Sequence, residues 1–345
     1  MAPTSSEQPT DSSRVMAWLR LLRISALPSA ISNILMAFLL VHQTWMPTTE
    51  LLLLILASAS IYLAGMVLND VFDYSIDLRQ RPQRPLPAGQ ISKTTARVVG
   101  FGLLFTGVMI ACVAGWVGNT DSEIGFDSTM VRTAFVAILL AIFVVLYDGP
   151  LKRTIAAPFL MGGCRMLNIL LGASTFVPLV IGIDMGLDSP PIEGLFWGLP
   201  IVLWWVALSI GVLIAGTTLL GHKEAVEKQG RIPLAFAGLL IVAGLVGVGL
   251  VVYCPTSFDI SDQTRRVFPL FIGIVSLTIF RRLVEAIAVA KPKPIQAGVV
   301  SVLRSLIIFD AAICYMVMPH QIGYAIAVLA LIIPSLVLGR FISST

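Results

Sequence analysis

Three aspartates at the end of an apolar run are the residues best placed to do chemistry. Asp70, Asp73 and Asp77 follow Asn69 and a run of apolar residues that begins at Leu51. In a helix, Asp73 and Asp77 lie about 60° and about 20° around the axis from Asp70, so the three carboxylates share one face with Asn69 at its margin. Such like charges repel one another unless a divalent cation neutralises them, and hard oxygen ligands suit Mg²⁺. The spacing therefore predicts a magnesium site on these four residues.

Basic side chains come directly after the aspartates. Arg79, Arg81 and Arg84 are present in the next eight residues, and their fork-shaped guanidinium groups suit phosphate oxygens. Acid and base clusters at a helix end also form solvated caps and cytoplasmic charge runs. The residue types alone leave both interpretations open.

The pattern of this stretch resembles the first aspartate-rich motif of the UbiA superfamily of intramembrane prenyltransferases. It reads Asn-Asp-x-x-Asp-x-x-x-Asp, followed by Arg-Pro-x-Arg-Pro-Leu-Pro-x-Gly. In that family the acids hold Mg²⁺ against an isoprenoid diphosphate. The resemblance covers roughly residues 15–317 and implies an all-helical fold of nine spans in two four-helix halves.

The composition predicts a polytopic membrane protein. Of the 345 residues, 57% are hydrophobic and 12% are charged, with long runs almost free of ionisable side chains. A soluble prenyl diphosphate synthase also carries aspartate clusters on helices, but it would not tolerate so much apolar surface without lipid to cover it. That class of enzyme is excluded. Residues 1–13 are polar and lack the apolar core of a signal peptide, so we expect a disordered tail.

Ten apolar windows have the length needed to cross a bilayer. They lie near residues 18–42, 49–69, 95–118, 129–147, 156–177, 196–220, 233–254, 267–290, 296–318 and 321–341. With a cytoplasmic N-terminus, 18 of the 23 basic residues fall on cytoplasmic flanks and loops, as the positive-inside rule requires. We expect an all-α bundle of nine to ten transmembrane helices with both termini inside, in which residues 321–345 add a helix to the prenyltransferase-like domain.

A second basic segment follows the fourth window. Tyr147 begins the sequence Tyr-Asp-Gly-Pro-Leu-Lys-Arg, in which Gly-Pro stops a helix and places Lys152 and Arg153 at the cytoplasmic surface. An ordinary positive-inside flank would look the same. The UbiA family carries a similar segment, and the resemblance implies that Lys152 and Arg153 bind diphosphate, with Tyr147 also in the site.

Ionisable and amide side chains inside the predicted spans are further candidates. Arg165 and Asn168 are three residues apart in the fifth window and therefore share a helical face. One interpretation is that they bind a ligand, because a charged side chain inside a membrane is costly and usually has a function. The other is that Asn168 joins helices and Arg165 extends to the membrane interface. Asn33 in the first window and Asp310 with Arg304 in the ninth raise the same question.

The sequence departs from the family pattern after the sixth window. The family has a second aspartate-rich motif there, whereas this chain reads Thr-Thr-Leu-Leu-Gly-His222-Lys-Glu224-Ala-Val-Glu227. Glu224 is the candidate ligand for a second Mg²⁺, with Glu227 and His222 beside it. The combination of an intact first motif with this replacement is similar to the EboC-like branch of the superfamily.

Together the motifs predict an integral membrane prenyltransferase that moves an isoprenoid group from its diphosphate to an aromatic or other lipophilic acceptor. Asp70, Asp73, Asp77 and Lys152 are the expected catalytic residues, with Mg²⁺ as cofactor. We expect isoprenyl diphosphate, the acceptor and membrane lipid as partners, no nucleic acid, and an active site that faces the cytoplasm from the cell inner membrane. A non-catalytic lipid-binding or transport protein on the same fold remains the alternative. A CDP-alcohol phosphotransferase would need an Asp-Gly-x-x-Ala-Arg segment that the chain lacks.

Overall fold

The apolar runs of the sequence form long α-helices. The computed structural model describes residues 11–119, 128–177, 195–222, 231–255 and 260–341. The helices are α1 (Asp11–Leu21), α2 (Leu27–His42), α3 (Thr48–Gln80), α4 (Lys93–Asn119), α5 (Ser128–Asp148), α6 (Ala157–Gly172), α7 (Ile201–His222), α8 (Arg231–Leu250), α9 (Asp262–Val289), α10 (Pro292–Val317), α11 (Ile322–Ala330) and α12 (Ile332–Phe341). Short 3-10 helices cover Ile24–Ala26 and Val251–Tyr253, and the two-residue strands β1 (Leu195–Phe196) and β2 (Leu199–Pro200) pair antiparallel.

Nine helical segments in the described part of the chain are long and apolar enough to cross a membrane. They match nine of the ten predicted windows, and the prediction of an all-helical membrane bundle is confirmed. The window at 156–177 instead contains α6, whose 16 residues span about 24 Å, less than the roughly 30 Å of a hydrocarbon core. The chain turns after Gly172, where Arg132 of α5 donates from Nε to Ser174 O over 2.8 Å.

The C-terminal span is broken in its middle. Its two parts, α11 and α12, are separated at Leu331, one turn before Pro334. Proline has no N–H to donate to the carbonyl four residues earlier, Ala330, and its ring clashes with that carbonyl. The segment Ile322–Arg340 is mostly exposed on the surface of the bundle, as expected for a helix that faces lipid.

The helices pack mainly against their neighbours in sequence. Each helix from α2 to α10 contacts the next one along the chain, and this series continues from α5 to α6 without a break. Helix α2 also contacts α6 and α10, and α10 contacts α7. One large apolar core runs through this arrangement.

A smaller apolar cluster holds the end of α3 that carries the aspartates. Ala17 and Leu21 of α1 pack there against Val67 and Val71 of α3, together with Leu86, Ile91 and Ala96. This cluster joins α1 and the loop of residues 81–92 to the acidic end of α3. Of the predicted tail, residues 1–10 lie outside the described part of the chain, and α1 begins at Asp11, within the predicted tail.

Candidate active site

The acidic residues lie on the last turns of α3, as the sequence predicts. The helix continues beyond its apolar window to Gln80. Asp70 and Asp77 are buried, and Asp73 is half-buried. The three carboxylates therefore sit at the edge of the bundle core, where a cation has to balance them.

Arg84 neutralises two of these carboxylates. Its Nη1 lies 2.8 Å from Asp77 Oδ2 and 3.4 Å from Asp70 Oδ1. The loop that carries it is compact: Ala88 N–H donates to Arg84 O over 2.9 Å, and Gly89 has the positive φ of 72° that lets the chain turn back. The sequence predicted Arg84 as a diphosphate ligand, and the structure brings it to the aspartates.

Lys152 reaches the same cluster from the loop after α5. Its Nζ lies 2.5 Å from both Asn69 Oδ1 and Asp73 Oδ2. The Gly-Pro stop after α5 turns the chain so that this lysine points back over the end of α3. Two motifs separated by 83 residues are thus joined at one place.

Arg23 completes the ring of cations, and sequence reasoning missed it. It lies between α1 and the 3-10 helix Ile24–Ala26, in a left-handed conformation with φ 45° and ψ 47°, and its Nη2 is 3.0 Å from Asp70 Oδ1. Left-handed geometry is unfavourable for a residue with a side chain and is often found at functional sites. The next residue but one, Ser25, accepts a 3.0 Å hydrogen bond at its carbonyl from Ser335 of α12.

The donor set agrees with a Mg²⁺ site in its chemistry and only partly in its arrangement. Among the described residues, no group of three or more His, Cys, Asp or Glu side chains is arranged to hold a metal ion. Each carboxylate instead turns toward a nearby cation: Asp73 to Lys152, and Asp70 and Asp77 to Arg84. The predicted four-ligand set is therefore not assembled in this structure. Because Mg²⁺ usually takes one or two carboxylates and completes its shell with water and phosphate, Asp70 and Asp77 would suffice as its carboxylate ligands, although Arg84 Nη1 occupies the position between them in this structure.

A cavity of about 90 Å³ lies between the helices below this cluster. Helices α2, α3, α5 and α6 line it, and most of the wall is apolar, including Ile61, Met66, Leu140 and Val144. Its polar lining residues are Ser58, Tyr62, Tyr147, Asp148, Cys164, Arg165 and Asn168. Tyr147 is therefore placed in the cavity wall.

The intramembrane polar residues form a network between helices. Arg165 Nη1 donates to Ser29 O and Asn33 Oδ1, each over 2.9 Å. Asn33 Nδ2 donates to both oxygens of Asp310, which is 0% exposed. In α6, Asn168 donates to Ala30 O over 3.0 Å and accepts from Ser58 over 2.6 Å. These bonds join α2, α3, α6 and α10.

This network bears on the two interpretations of Arg165. Its guanidinium donates to α2, so the contacts agree with a role in joining helices and not with the extension of Arg165 to the membrane interface that was part of that interpretation. Arg165 and Asn168 also line the cavity, so their predicted ligand-binding role, and that of Asn33, stays a prediction. Arg304 is exposed and does not meet Asp310.

Two other predicted site residues, Arg81 and Arg153, are not part of the cluster. Arg81 and Arg153 are exposed, and within the described ranges neither side chain makes a hydrogen bond or ion pair. Arg153 directly follows Lys152 in the chain, and Arg81 lies three residues before Arg84. Glu224 lies outside the described residues, so the predicted second metal ligand has no structural test.

Two residues in or beside the site were not predicted as site residues. Arg23 was visible in the sequence only as a basic flank, because its backbone conformation and its partner at position 70 are tertiary features. Asp148 follows Tyr147 directly, and an acid at the end of an apolar helix beside a candidate residue was the available signal. It is 4% exposed and lines the cavity.

Comparison with known proteins shows which family the sequence matches. The sequence profile of the UbiA prenyltransferase family matches residues 30–257. A digeranylgeranylglyceryl phosphate synthase from Metallosphaera sedula is 32% identical over 106 residues, which make up 31% of this chain and 32% of that protein. The synthase of the same name from Methanoculleus marisnigri is 27% identical over 260 residues, 69% of this chain and 84% of that protein. The match thus spans about a third of the first relative's length and most of the second's.

A solved structure shares the fold. A UbiA homologue from Archaeoglobus fulgidus bound to GPP and Mg²⁺ aligns with a TM-score of 0.57 at 15% identity, covering 91% of this chain and 99% of that one. At this identity the likeness concerns the arrangement of helices and not the ligands.

Proposed function

The chain belongs to the UbiA prenyltransferase family, and we propose that it transfers an isoprenoid group from a diphosphate to a lipophilic acceptor within the membrane. One observation carries the proposal: Asp70, Asp73 and Asp77 meet Arg84 and Lys152 at the end of a membrane-spanning helix, directly above an apolar cavity. In this proposal these groups bind the metal diphosphate at the membrane surface, and the apolar walls below them receive the isoprenoid chain.

The basic residues hold the donor in this proposal. Arg84 and Lys152 bind the diphosphate oxygens, and the exposed Arg81 and Arg153 extend the positive surface at the rim. Asn69 and the three aspartates hold Mg²⁺, which when bound stabilises the negative charge that grows on the departing diphosphate. The apolar wall keeps water away from the allylic carbon.

The relatives favour a glycerol phosphate acceptor over the aromatic acceptor that the sequence analysis named first. Their name describes a product with two geranylgeranyl groups on a glyceryl phosphate, and an acceptor of this class offers a glycerol hydroxyl. We extend this acceptor class to the present chain. The reaction is then the attack of a hydroxyl oxygen on the allylic carbon, with loss of diphosphate.

Two finer assignments stay predictions. The relatives that we report are digeranylgeranylglyceryl phosphate synthases and do not support an EboC-like branch specifically. Glu224 as a ligand for a second metal ion likewise rests on the sequence, because residues 223–230 lie outside the described part of the chain.

The nine apolar spans and the family membership make the chain a multi-pass integral membrane protein. We propose that the acidic end of α3 faces the cytoplasm, because the basic residues concentrate on that side of the predicted topology. We further propose that the protein lies in the cell inner membrane.

The test is turnover by the purified protein in detergent with radiolabelled geranylgeranyl diphosphate, Mg²⁺ and a lipid glycerol phosphate that carries one free hydroxyl. We expect a Mg²⁺-dependent ether product and none in Asp73→Ala, with activity kept in Glu285→Gln, a carboxyl-to-amide change at an exposed site on α9. Donor binding without turnover, with any acceptor, would instead support the non-catalytic lipid-binding protein.

A further inference from the structure

Asp148 is a buried carboxyl group beside the diphosphate cluster, and it forms no hydrogen bond or ion pair with the described residues of that cluster. It is the last residue of α5 and is 4% exposed. Within the part of the chain that the structure describes, its side chain makes no hydrogen bond or ion pair. Buried polar groups are nearly always hydrogen-bonded, and one that is not calls for an explanation.

The other buried aspartates differ from it in this respect. Asp70 and Asp77 are paired with arginines, and Asp310 accepts hydrogen bonds from Ser32 and Asn33. Asp148 instead lines the cavity. A carboxyl group that faces a cavity without a hydrogen bond is available to a donor that comes from outside the protein.

The position of Asp148 relative to the diphosphate cluster indicates what that donor is. A methyl group built on Gly65 would lie 3.7 Å from Asp148 Oδ2. Gly65 lies four residues before Asn69 on α3, so the two share a helical face about one turn apart. Asp148 is thus about one turn deeper in the bundle than the residues that face the diphosphate. This is where the allylic carbon and the attacking oxygen must meet.

Two other polar residues of the cavity wall, Asn168 and Arg165, are unsuited to this role. The amide of Asn168 is hydrogen-bonded to Ser58 and to α2, and Arg165 is held by α2. Both therefore have partners in the protein. Arg165 is also a cation with no capacity to accept a proton, and an amide is a poor base. The Asp148 carboxylate, in contrast, makes no hydrogen bond or ion pair with the described residues, and a carboxylate can accept a proton.

We propose that Asp148 binds the hydroxyl group of the acceptor and takes its proton, which makes it a further catalytic residue of the proposed reaction. The inference rests on the proposed function and specifies its acceptor as a hydroxyl compound. As the C–O bond to diphosphate breaks and the diphosphate leaves with the bonding electrons, the acceptor oxygen bonds to the allylic carbon. Its proton passes to the Asp148 carboxylate and then to solvent.

Asp148→Asn tests this assignment, because the amide keeps the shape of the side chain and removes its basicity. We expect binding of geranylgeranyl diphosphate with Mg²⁺, measured calorimetrically in detergent, to stay within about twofold of the wild type. Turnover with the hydroxyl acceptor should fall about 10²- to 10⁴-fold, the usual contribution of general acid–base catalysis. Glu285→Gln is the matched control and should keep both values.

A thiol acceptor separates catalysis from structure. A thiol is far more acidic than an alcohol, with a pKa of about 8.5 in cysteine, so an analogue with SH in place of OH needs less help from a base, and Asp148→Asn should lose less than about tenfold with it. Equal losses with both acceptors, full turnover with the hydroxyl acceptor, or loss of donor binding would each overturn the assignment.

Gly65→Ala is a second variant that leaves the carboxylate intact. The new methyl group would lie 3.2 Å from Val144 Cγ1 and 3.7 Å from Asp148 Oδ2, so it narrows the space beside the carboxyl group. We expect a higher KM for the acceptor with donor binding unchanged, and an unchanged KM would count against the location.

Acceptor binding distinguishes failure of this inference from failure of the proposed function. If the wild type has no turnover, calorimetry with the acceptor alone still compares it with Asp148→Asn. Binding at least tenfold weaker in the variant supports the contact, and equal binding overturns it. A wild type that binds no hydroxyl acceptor overturns both proposals.

Discussion

Replacing Arg84 with alanine is the sharpest test of the charge arrangement. Arg84 Nη1 lies between Asp70 and Asp77, at 3.4 Å and 2.8 Å, and the three side chains are 12%, 7% and 6% exposed. Removal of the guanidinium leaves two buried carboxylates facing each other without the cation between them. We expect Arg84→Ala to be destabilised in metal-free buffer and to recover when Mg²⁺ takes the vacated position.

The magnitude follows from burial. Breaking a buried ion pair from one side costs about 3–5 kcal/mol, because an uncompensated charge stays behind. Asp70 keeps its contact with Arg23, whose side chain is 32% exposed, so we expect the lower end, about 3 kcal/mol. At roughly 2 °C per kcal/mol for a large chain, the thermal midpoint in detergent should fall by about 6 °C.

Thermal unfolding of both proteins with EDTA and with Mg²⁺ measures the effect. The control is Arg282→Ala, which removes a surface pair at 3.3 Å with side chains 52% and 50% exposed. Such pairs contribute about 0–1 kcal/mol, so the control should change little in either buffer. Equal midpoints for Arg84→Ala and the wild type in EDTA, or a Mg²⁺-induced rise no larger than that of the wild type, would refute the reasoning.

Three further predictions follow from the proposed site. Asp73→Ala and Asp77→Ala should each abolish Mg²⁺-dependent diphosphate binding in calorimetry while the protein stays folded; unchanged binding would reduce the motif to a solvated cap. Cysteine-accessibility labelling should place residues 78–94 and 221–232 on the same side of the membrane, and labelling from opposite sides would contradict the topology. Glu224→Gln should lower turnover and raise the Mg²⁺ concentration that activity needs, because an amide oxygen is a poorer ligand than a carboxylate; an unchanged Mg²⁺ dependence would mean that the first motif suffices.

Local properties of the sequence predicted the fold class and the acidic face. Apolar runs of about twenty residues give spans whatever their neighbours are, because each helix satisfies its own backbone hydrogen bonds in lipid. The aspartates at positions 70, 73 and 77 share a face through helical periodicity alone. The break at Leu331 also has a local cause, Pro334, although hydropathy joined the two pieces into one window.

Local sequence patterns did not predict contacts between residues that are far apart in the chain. The spacing of Arg165 and Asn168 showed that they share a face, but not that Arg165 meets Asn33, 132 residues away, or that Asn33 meets Asp310, 277 residues away. The direction of each side chain depends on which helices pack together. The sequence alone is therefore compatible with both the ligand-binding and the helix-joining interpretations.

The sequence by itself determined that this is a helical membrane protein with clustered carboxylates and cations suited to a metal diphosphate. Composition and periodicity carry that information along the chain. Only the tertiary structure decided that Arg23 and Arg84 share Asp70, that Lys152 meets Asp73, and that Asp148 lies in the cavity wall with no hydrogen bond or ion pair to any residue that the structure describes. The physical reason is that a charge buried in a bundle takes its partner from whichever helix packs beside it, and packing is a property of the whole chain.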